Sequence, residues 1–600
     1  MKVQLKAKGN CTPLQVQYDE SFARYYREIT DMQLNDPALW SLLVRQFSLK
    51  TDACDGGWRG EFWGKMMRGS CMVYSCTKDQ AFYQTLENAV RSLLSMQQIT
   101  GRISSYLEEK ELQDWDVWCR KYVMLGLEHF YEICQDETLK ARVMDSLIRH
   151  ANYILNHIGE EDGKKSIIET SKMHGALNSV SIMQPYVRLY KYTGDESYLR
   201  FAEMLADTQW RENGIFSLAE QDALAPFEYP YKKAYEMISC FEGLLELYEV
   251  CGDERYLKVC TRFADKVLAT DFTIVGGSGC YDEYFNNSTE TQVQYTEIHK
   301  QETCVTVTLM KFLSALYKHT KNVAYVEAIE KSFFNAYLGA FINQRNDAYL
   351  PVPMFYSYSP VYKNPRWTLM GGGKNIAPYA KCGCCVAIGA AGLDPFPQIG
   401  AVLEDKTIVI NFFVAGKYEL LVDGKCIQYT IESNYPYEGN IKIKFTDCNF
   451  ERIILQIRKP SWSSVVVCQK QGKEIECVEN NGYLVLGKVS AGDEFEVKFD
   501  MPIQLHSANG LNEGTLYCVT KGPIVLCADG NFTDLDKKYS LRKDDAGKPL
   551  YCEIDATTYD FSCKDGETLR LKEYKSVGKN YYEPETISVW LHLHEGDDQE

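Results

Sequence analysis

Five times along the chain a Tyr is followed, five residues later, by an Asp or Asn that opens a new amphipathic run: Tyr74/Asp79, Tyr131/Asp136, Tyr190/Asp195, Tyr248/Asp253 and Tyr317/Asn322. Successive Tyr positions are 57, 59, 58 and 69 residues apart. Two copies, Leu189-Tyr190-Lys191-Tyr192-Thr193-Gly194-Asp195 and Leu247-Tyr248-Glu249-Val250-Cys251-Gly252-Asp253, spell the local grammar: a helix ends at a Gly, where a left-handed backbone is tolerated, and an Asp caps the next helix. Behind each cap apolar residues recur at helical spacing, as in Tyr198, Leu199, Phe201, Ala202 and Leu205. Each unit is therefore a helical hairpin that buries its apolar face only by stacking on its neighbours. Such units make either an open solenoid or a closed ring. The long connection from Asp271 to Glu297 inside the enlarged interval favours a ring with functional loops at one mouth, an (α/α)6 toroid.

From about Gln398 the period changes. Asn440-Ile441-Lys442-Ile443-Lys444-Phe445 and Glu494-Phe495-Glu496-Val497-Lys498-Phe499 alternate with period two between turn pairs such as Asp423-Gly424. The expected organisation is a toroid over residues 10–398, a β-sandwich over 399–505 and a second small β domain over 506–600. The alternating start Met1-Lys2-Val3-Gln4-Leu5-Lys6 reads as a strand over residues 1–9 that joins the last domain.

A net charge of −17 without a long Lys/Arg block excludes a nucleic-acid or anionic-membrane partner and leaves a small neutral ligand. No apolar run reaches the roughly 18 residues needed to span a bilayer, and the first residues lack the apolar run of an export signal. The 22 cysteines are then expected as mostly reduced thiols in a cytoplasmic protein, with a homodimer compatible with the sequence.

The densest chemistry lies in Glu302-Thr303-Cys304 and Lys381-Cys382-Gly383-Cys384-Cys385. Thiolates with one carboxylate form a donor set suited to zinc, although buried free thiols account for the same residues. Gly371-Gly372-Gly373-Lys374 lacks the spacing of a phosphate loop and reads as a turn, and Gly276-Gly277-Ser278-Gly279-Cys280 falls short of a nucleophile elbow. His174 and His299 read as core histidines or as ligand-facing ones. Trp58, Trp63, Trp115 and Trp118 are of a type more often core than sugar platform. Yet Gly57-Trp58-Arg59-Gly60-Glu61-Phe62-Trp63 and Gln113-Asp114-Trp115-Asp116-Val117-Trp118 mix aromatics with acids, as a carbohydrate-lined mouth does.

At Glu302-Thr303-Cys304 and Cys382-Gly383-Cys384-Cys385 the chain resembles glycoside hydrolase family 127, whose characterised members include β-L-arabinofuranosidases. Gly276-Gly277-Ser278-Gly279 with Glu283-Tyr284-Phe285 looks like the family's acid/base loop. Ile457-Arg458-Lys459-Pro460-Ser461-Trp462 and Lys521-Gly522-Pro523 look like its β-domain signatures. Where the family commonly continues with Pro-Pro-Asn, this chain has Val386-Ala387-Ile388-Gly389.

The resemblance implies a retaining glycosidase that releases a terminal furanose, β-L-arabinofuranose first among the candidates. It implies zinc on Glu302, Cys304, Cys384 and Cys385, with Cys382 a nearby non-ligand. Cys384 would be the nucleophile, Glu283 the general acid/base, and His174 a sugar contact, to which the aromatic–acid mixture adds Trp115 and Asp116. Two other readings stay open, because fold does not fix reaction: a sugar epimerase, isomerase or lyase on the same ring, and a non-catalytic sugar-binding protein with structural zinc.

Overall fold

The computed structural model describes residues 3–7, 9, 11–297, 300–342, 354–366, 376, 382–422, 424–508, 515–581 and 583–594. Five helices, Gly60–Thr77, Asp116–Ile133, Met183–Thr193, Ala234–Cys251 and Thr303–Thr320, pack side by side as an inner ring. The sixth place is taken by Cys384–Ile388 and the tighter turn Gly389–Leu393, which touch both Thr303–Thr320 and Gly60–Thr77 and so close the circle. Pro37–Leu49, Gln80–Leu94, Glu137–His157, Glu196–Trp210, Glu254–Thr270 and Val323–Lys331 form the outer layer, each against the inner helix beside it. The chain is thus an (α/α)6 toroid followed by β domains.

The repeat has a physical basis in every unit. Asp79, Asp136, Asp195, Asp253 and Asn322 are the N-caps of the outer helices, their side chains accepting from backbone N–H groups one turn in. Just before each of two caps, Gly194 (φ 75°) and Gly252 (φ 69°) end the inner helix in the left-handed region, and Lys78 (φ 53°) and Lys321 (φ 57°) do the same at greater steric cost. In three units the Tyr clamps the corner from its other side, whereas Tyr317 Oη turns to Asn411 and Tyr483. Tyr190 Oη donates to Glu196 Oε1 and Tyr248 Oη to Glu254 Oε1, both at 3.1 Å, and Gln80 Nε2 donates to Tyr74 Oη at 3.1 Å.

Beyond residue 400 the chain is β. One sheet orders Thr12–Pro13, Ala401–Glu404, Thr407–Ile410, Ile454–Arg458, Tyr483–Lys488 and Val478–Asn480. A second runs from Lys473–Glu474 through Val466–Lys470, Glu494–Phe499, Asn440–Cys448, Lys425–Ser433 and Gly416–Val422 to Gln15–Tyr18. Their inward residues, among them Ile408, Ile431, Ile443, Ile457 and Val497, share one core, which makes the pair a sandwich. A third sheet is built from strands between Ile503 and His594. The expected boundary at 505 falls inside its strand Ile503–Ser507, which pairs with Leu516–Lys521.

The expected strand over residues 1–9 is not formed by the described residues 3–7 and 9. Val3 N donates to Lys191 O, and Lys6 N and Ala7 N donate to Glu249 O, so this segment serves carbonyls near the ends of two inner helices. The N-terminal strands that do form, at 12–13 and 15–18, complete the sandwich and leave the last domain without an N-terminal strand from the described residues.

Candidate active site

Glu302 is the N-cap of inner helix Thr303–Thr320, yet its carboxylate makes no capping bond. Thr303 holds the turn instead, with its N–H on Ser357 O (2.9 Å) and its hydroxyl on Tyr356 O (2.7 Å). The Glu302 side chain is thereby free to meet Cys304, Cys384 and Cys385, and the donor atoms of all four residues lie within 4.8 Å of one another. Cys385 Sγ is 3.6 Å and Cys384 Sγ 4.0 Å from Glu302 Oε1, and the two sulfurs are 3.8 Å apart.

Glu302 Oε2 is buried without a hydrogen-bond partner among the described residues. A buried carboxylate with one oxygen against the thiols and the other without a partner is costly unless a cation completes the group, and the donor set fits zinc. Cys384 is half-buried, whereas Cys304 and Cys385 are buried. The thiols of Cys304 and Cys385 hydrogen-bond to Cys384 and hold its pKa well below the ordinary thiol value, while burial pushes theirs up. Cys382 is buried beside the group, its thiol turned toward Gly383 O.

Glu283 reaches this group on its own loop. Gly276 at its root is left-handed (φ 79°), and a Cβ there would stand 2.5 Å from Ser332 N and Cα. Asp282 (φ 50°) and Glu283 (φ 70°) are also left-handed, a strained pair of the kind found at ligand sites. Ala234 N donates to Glu283 O at 3.1 Å and Phe285 N to Lys232 O at 3.0 Å, fastening the loop to the start of inner helix Ala234–Cys251. The carboxylate is held from both sides: Tyr358 Oη donates to Oε1 and the Lys233 ammonium pairs with Oε2. Burial works against the Lys233 charge, but Glu283, Glu236 and Glu302 outweigh it and raise its pKa. Tyr358 forms a bridge with Glu302, so one segment serves both carboxylates.

His174 stands on a run of three left-handed residues, His174, Gly175 and Ala176 (φ 49°, 62° and 60°), with its ring 5.6 Å from that of Tyr284. Burial and Lys233 lower its pKa to about 4, so it is neutral. The structure thus brings His174, Glu283 and the Glu/Cys group into one region.

Asp116 and Trp115 depart from expectation. Asp116 is fully buried, with Leu112 N and Arg120 on Oδ2 and Ser104 Oγ on Oδ1. Its charge serves an internal ion pair one helical turn away, which leaves nothing for a sugar. Trp115 is buried edge-on between Trp58 (5.4 Å) and Trp118 (5.9 Å). His299, Gly371–Lys374 and Lys381 lie outside the described residues.

Sequence reasoning missed the floor of the site. On inner helix Gly60–Thr77, Glu61 and Lys65 are one turn apart and buried, with Lys65 Nζ 2.9 Å from Glu61 Oε1 and 3.9 Å from Cys304 Sγ. Trp118 Nε1 donates to Glu61 Oε2, and Lys65 lies over the rings of Tyr235 (4.3 Å) and Tyr122 (5.1 Å). Burial lifts the Glu61 carboxyl to about 7 against the pull of Lys65. The available signal was a pair of opposite charges four residues apart in a helix that is otherwise almost free of solvent-facing positions.

Residues 12–398 match the model described as β-L-arabinofuranosidase, GH127 catalytic domain, and residues 407–501 match its middle domain. The chain belongs to glycoside hydrolase family 127. A non-reducing end β-L-arabinofuranosidase of Bifidobacterium longum subsp. longum is 22% identical over 402 residues, which are 60% of this chain and 58% of that relative. Among solved structures, a GH127 β-arabinofuranosidase superposes with a TM-score of 0.77 at 18% identity, covering 98% of both chains. A GH127 β-L-arabinofuranosidase from Geobacillus stearothermophilus T6 does so at 0.74 and 15% identity, covering 97% of this chain and 100% of that one. At these identities the GH127 structures speak for the shared fold, and the side chains described above speak for the site.

Proposed function

We propose that this GH127 chain is a retaining glycosidase that removes a terminal furanose, most directly β-L-arabinofuranose, with Cys384 as nucleophile and Glu283 as general acid/base. The observation that carries the reading is the gathering of Glu302, Cys304, Cys384 and Cys385 within 4.8 Å beside a second carboxylate, Glu283, held by Tyr358 and Lys233. The names of the relatives supply the sugar.

Glu302, Cys304, Cys384 and Cys385 would hold zinc, which when bound keeps cysteine sulfur ionised at neutral pH. Cys384 is the least buried of the three cysteine residues, which favours it over Cys304 and Cys385 as the one that meets substrate. Its sulfur attacks the anomeric carbon as the glycosidic C–O bond breaks, and Glu283, reacting in its protonated form, gives its proton to the departing oxygen and is left as the carboxylate that Lys233 and Tyr358 hold. Water then attacks the same carbon, Glu283 takes the proton, and the C–S bond breaks with net retention. Tyr358 and Lys233 fix the Glu283 carboxylate through both exchanges. His174, neutral and beside Tyr284, offers a hydrogen bond to a sugar hydroxyl.

The test is Glu283→Gln. It should leave metal content intact, slow substrates with poor leaving groups most, and spare the first step on activated aryl glycosides, where protonation matters little. Full activity of the variant on natural linkages, or an inverted first-formed sugar seen by NMR, would refute the assignment.

A further inference from the structure

The two β-domain signatures take no part in the chemistry above, yet they converge. Ser461 and Trp462 from one, and Gly522 and Pro523 from the other, line a single cleft of about 460 Å³. Its opposite wall is Phe272 and Ile274, at the root of the Glu283 loop, together with Lys331 from the end of outer helix Val323–Lys331. Gly522 is left-handed (φ 52°), a conformation that favours glycine, and the turn lies beside the indole, where a Cβ would stand 3.8 Å from the Trp462 ring.

The cleft holds polar groups that the protein leaves unanswered. Trp462 Nε1 is buried without a partner among the described residues, while its ring packs toward Tyr435 and Phe499. Lys331 Nζ has no hydrogen bond or ion pair among the described residues. Burial lowers its pKa, with Cys518 and then Glu327 acting in the opposite sense. His506, held by Thr520 Oγ1 at 2.8 Å, also lines the cleft and feels the Lys331 charge. Two carboxylates also line the cleft, and both are already engaged: Glu327 accepts from Ser461 N at 2.7 Å and lies 3.7 Å from Arg458, and Glu330 pairs with Arg458. What is missing is an acceptor, preferably an anionic one, next to an aromatic face.

The neighbouring segment Ser332–Tyr337 is a π-helix, a strained form that recurs at functional places. On one side Ser332 Oγ donates to Gly276 O (2.8 Å) and Ala336 N to Val275 O (3.0 Å), holding the root of the Glu283 loop. On the other, Asn335 Nδ2 donates to Pro523 O (2.9 Å) and Asn335 Oδ1 accepts from Val525 N (2.8 Å), holding the β wall of the cleft. One turn of helix therefore ties this cleft to the loop that carries the acid/base residue.

We propose that the cleft is a second carbohydrate site, built for a sugar unit that bears a carboxylate, with Trp462 and Phe272 flanking the ring and Lys331 with His506 receiving the acid group. A sugar ring meets aromatic faces through its C–H groups, and a carboxylate beside the half-buried Lys331 ammonium makes a charge-assisted bond. The proposal goes beyond the hydrolase reading and is decided by binding alone, so it survives or fails independently of Cys384 and Glu283.

The probe is D-galacturonate, with D-galactose as its neutral counterpart, measured by saturation-transfer NMR on the intact protein. Galacturonate should bind at least about ten-fold more tightly than galactose, the value of one charge-assisted contact. Lys331→Met should remove that preference, and Trp462→Ala should weaken both sugars. Hydrolysis of an aryl arabinofuranoside without probe should stay unchanged in both variants. Trp462 also packs into the sandwich core, so Lys331→Met is the decisive variant, with its melting temperature as the control for folding. Absence of galacturonate binding, equal binding of galactose, or wild-type binding by Lys331→Met overturns the proposal.

Discussion

Lys65 shows how much a single side chain under the site is asked to do. Its ammonium and the Glu61 carboxylate are each almost wholly buried, 1% and 2% exposed, and neither has water to fall back on. Lys65→Met should cost about 3–5 kcal/mol, because it strands a buried carboxylate, whereas Glu61→Gln combined with Lys65→Met should recover most of that loss. Urea unfolding of the two variants checks this. His150 makes a separate prediction about acid. Burial, aided by Arg120, lowers its pKa to about 3, and Ile103 N donates to its Nδ1 at 3.2 Å. A histidine kept neutral in the fold takes a proton only on unfolding, so its contribution is full above about 6.5 and is lost as pH falls from there toward 3. Between pH 7 and 4.5 this amounts to about 2–3 kcal/mol, and His150→Gln should flatten the pH dependence of the urea midpoint by that much. The gathering of Glu302, Cys304, Cys384 and Cys385 was legible in the sequence through the family resemblance at Glu302-Thr303-Cys304 and Cys382-Gly383-Cys384-Cys385. Asp116 was misread because composition does not reveal that Arg120, one turn on, claims its charge.

At the scale of elements, the contact that shapes the floor is the crossing of Gly60–Thr77 with Asp116–Ile133. The two helices meet at Gly64 and Gly126: a Cβ on Gly64 would lie 1.8 Å from Tyr122 O, and one on Gly126 2.9 Å from Gly64 Cα. This approach is what lets Trp118 on one helix reach Glu61 on the other. Gly64→Ala should push the helices apart, cost roughly 3 kcal/mol or more, and lower the melting temperature. It should also change the near-ultraviolet circular dichroism, as Trp118 loses its acceptor. Helices and caps were legible element by element, since the Asp or Asn five residues after each Tyr caps the outer helix through bonds to backbone N–H groups within one turn. The strand expected over residues 1–9 was not, because alternation describes side chains, whereas the fate of Val3, Lys6 and Ala7 was decided by carbonyls at distant helix ends.

Across the whole molecule the Glu/Cys group is also a fastener. It joins the last full inner helix, through Glu302 and Cys304, to the segment that closes the ring, through Cys384 and Cys385. Chelation of bound metal should therefore lower the melting temperature by several degrees as well as stop turnover, and added zinc should restore both. An unchanged melting curve after complete removal of metal would show that the ring closes without it. The ring and the β half were legible from periodicity, but their seam was not, because it is made of pairings between residues hundreds of positions apart. The strands at 12–13 and 15–18 are an instance: their partners are Ala401–Glu404 and Gly416–Val422. During synthesis at about 5–20 residues per second, these first strands wait some 20–80 s for partners that have not yet left the ribosome. For that interval the opening of the chain is unprotected, and the sandwich edge becomes a record of whether the ring between was completed first.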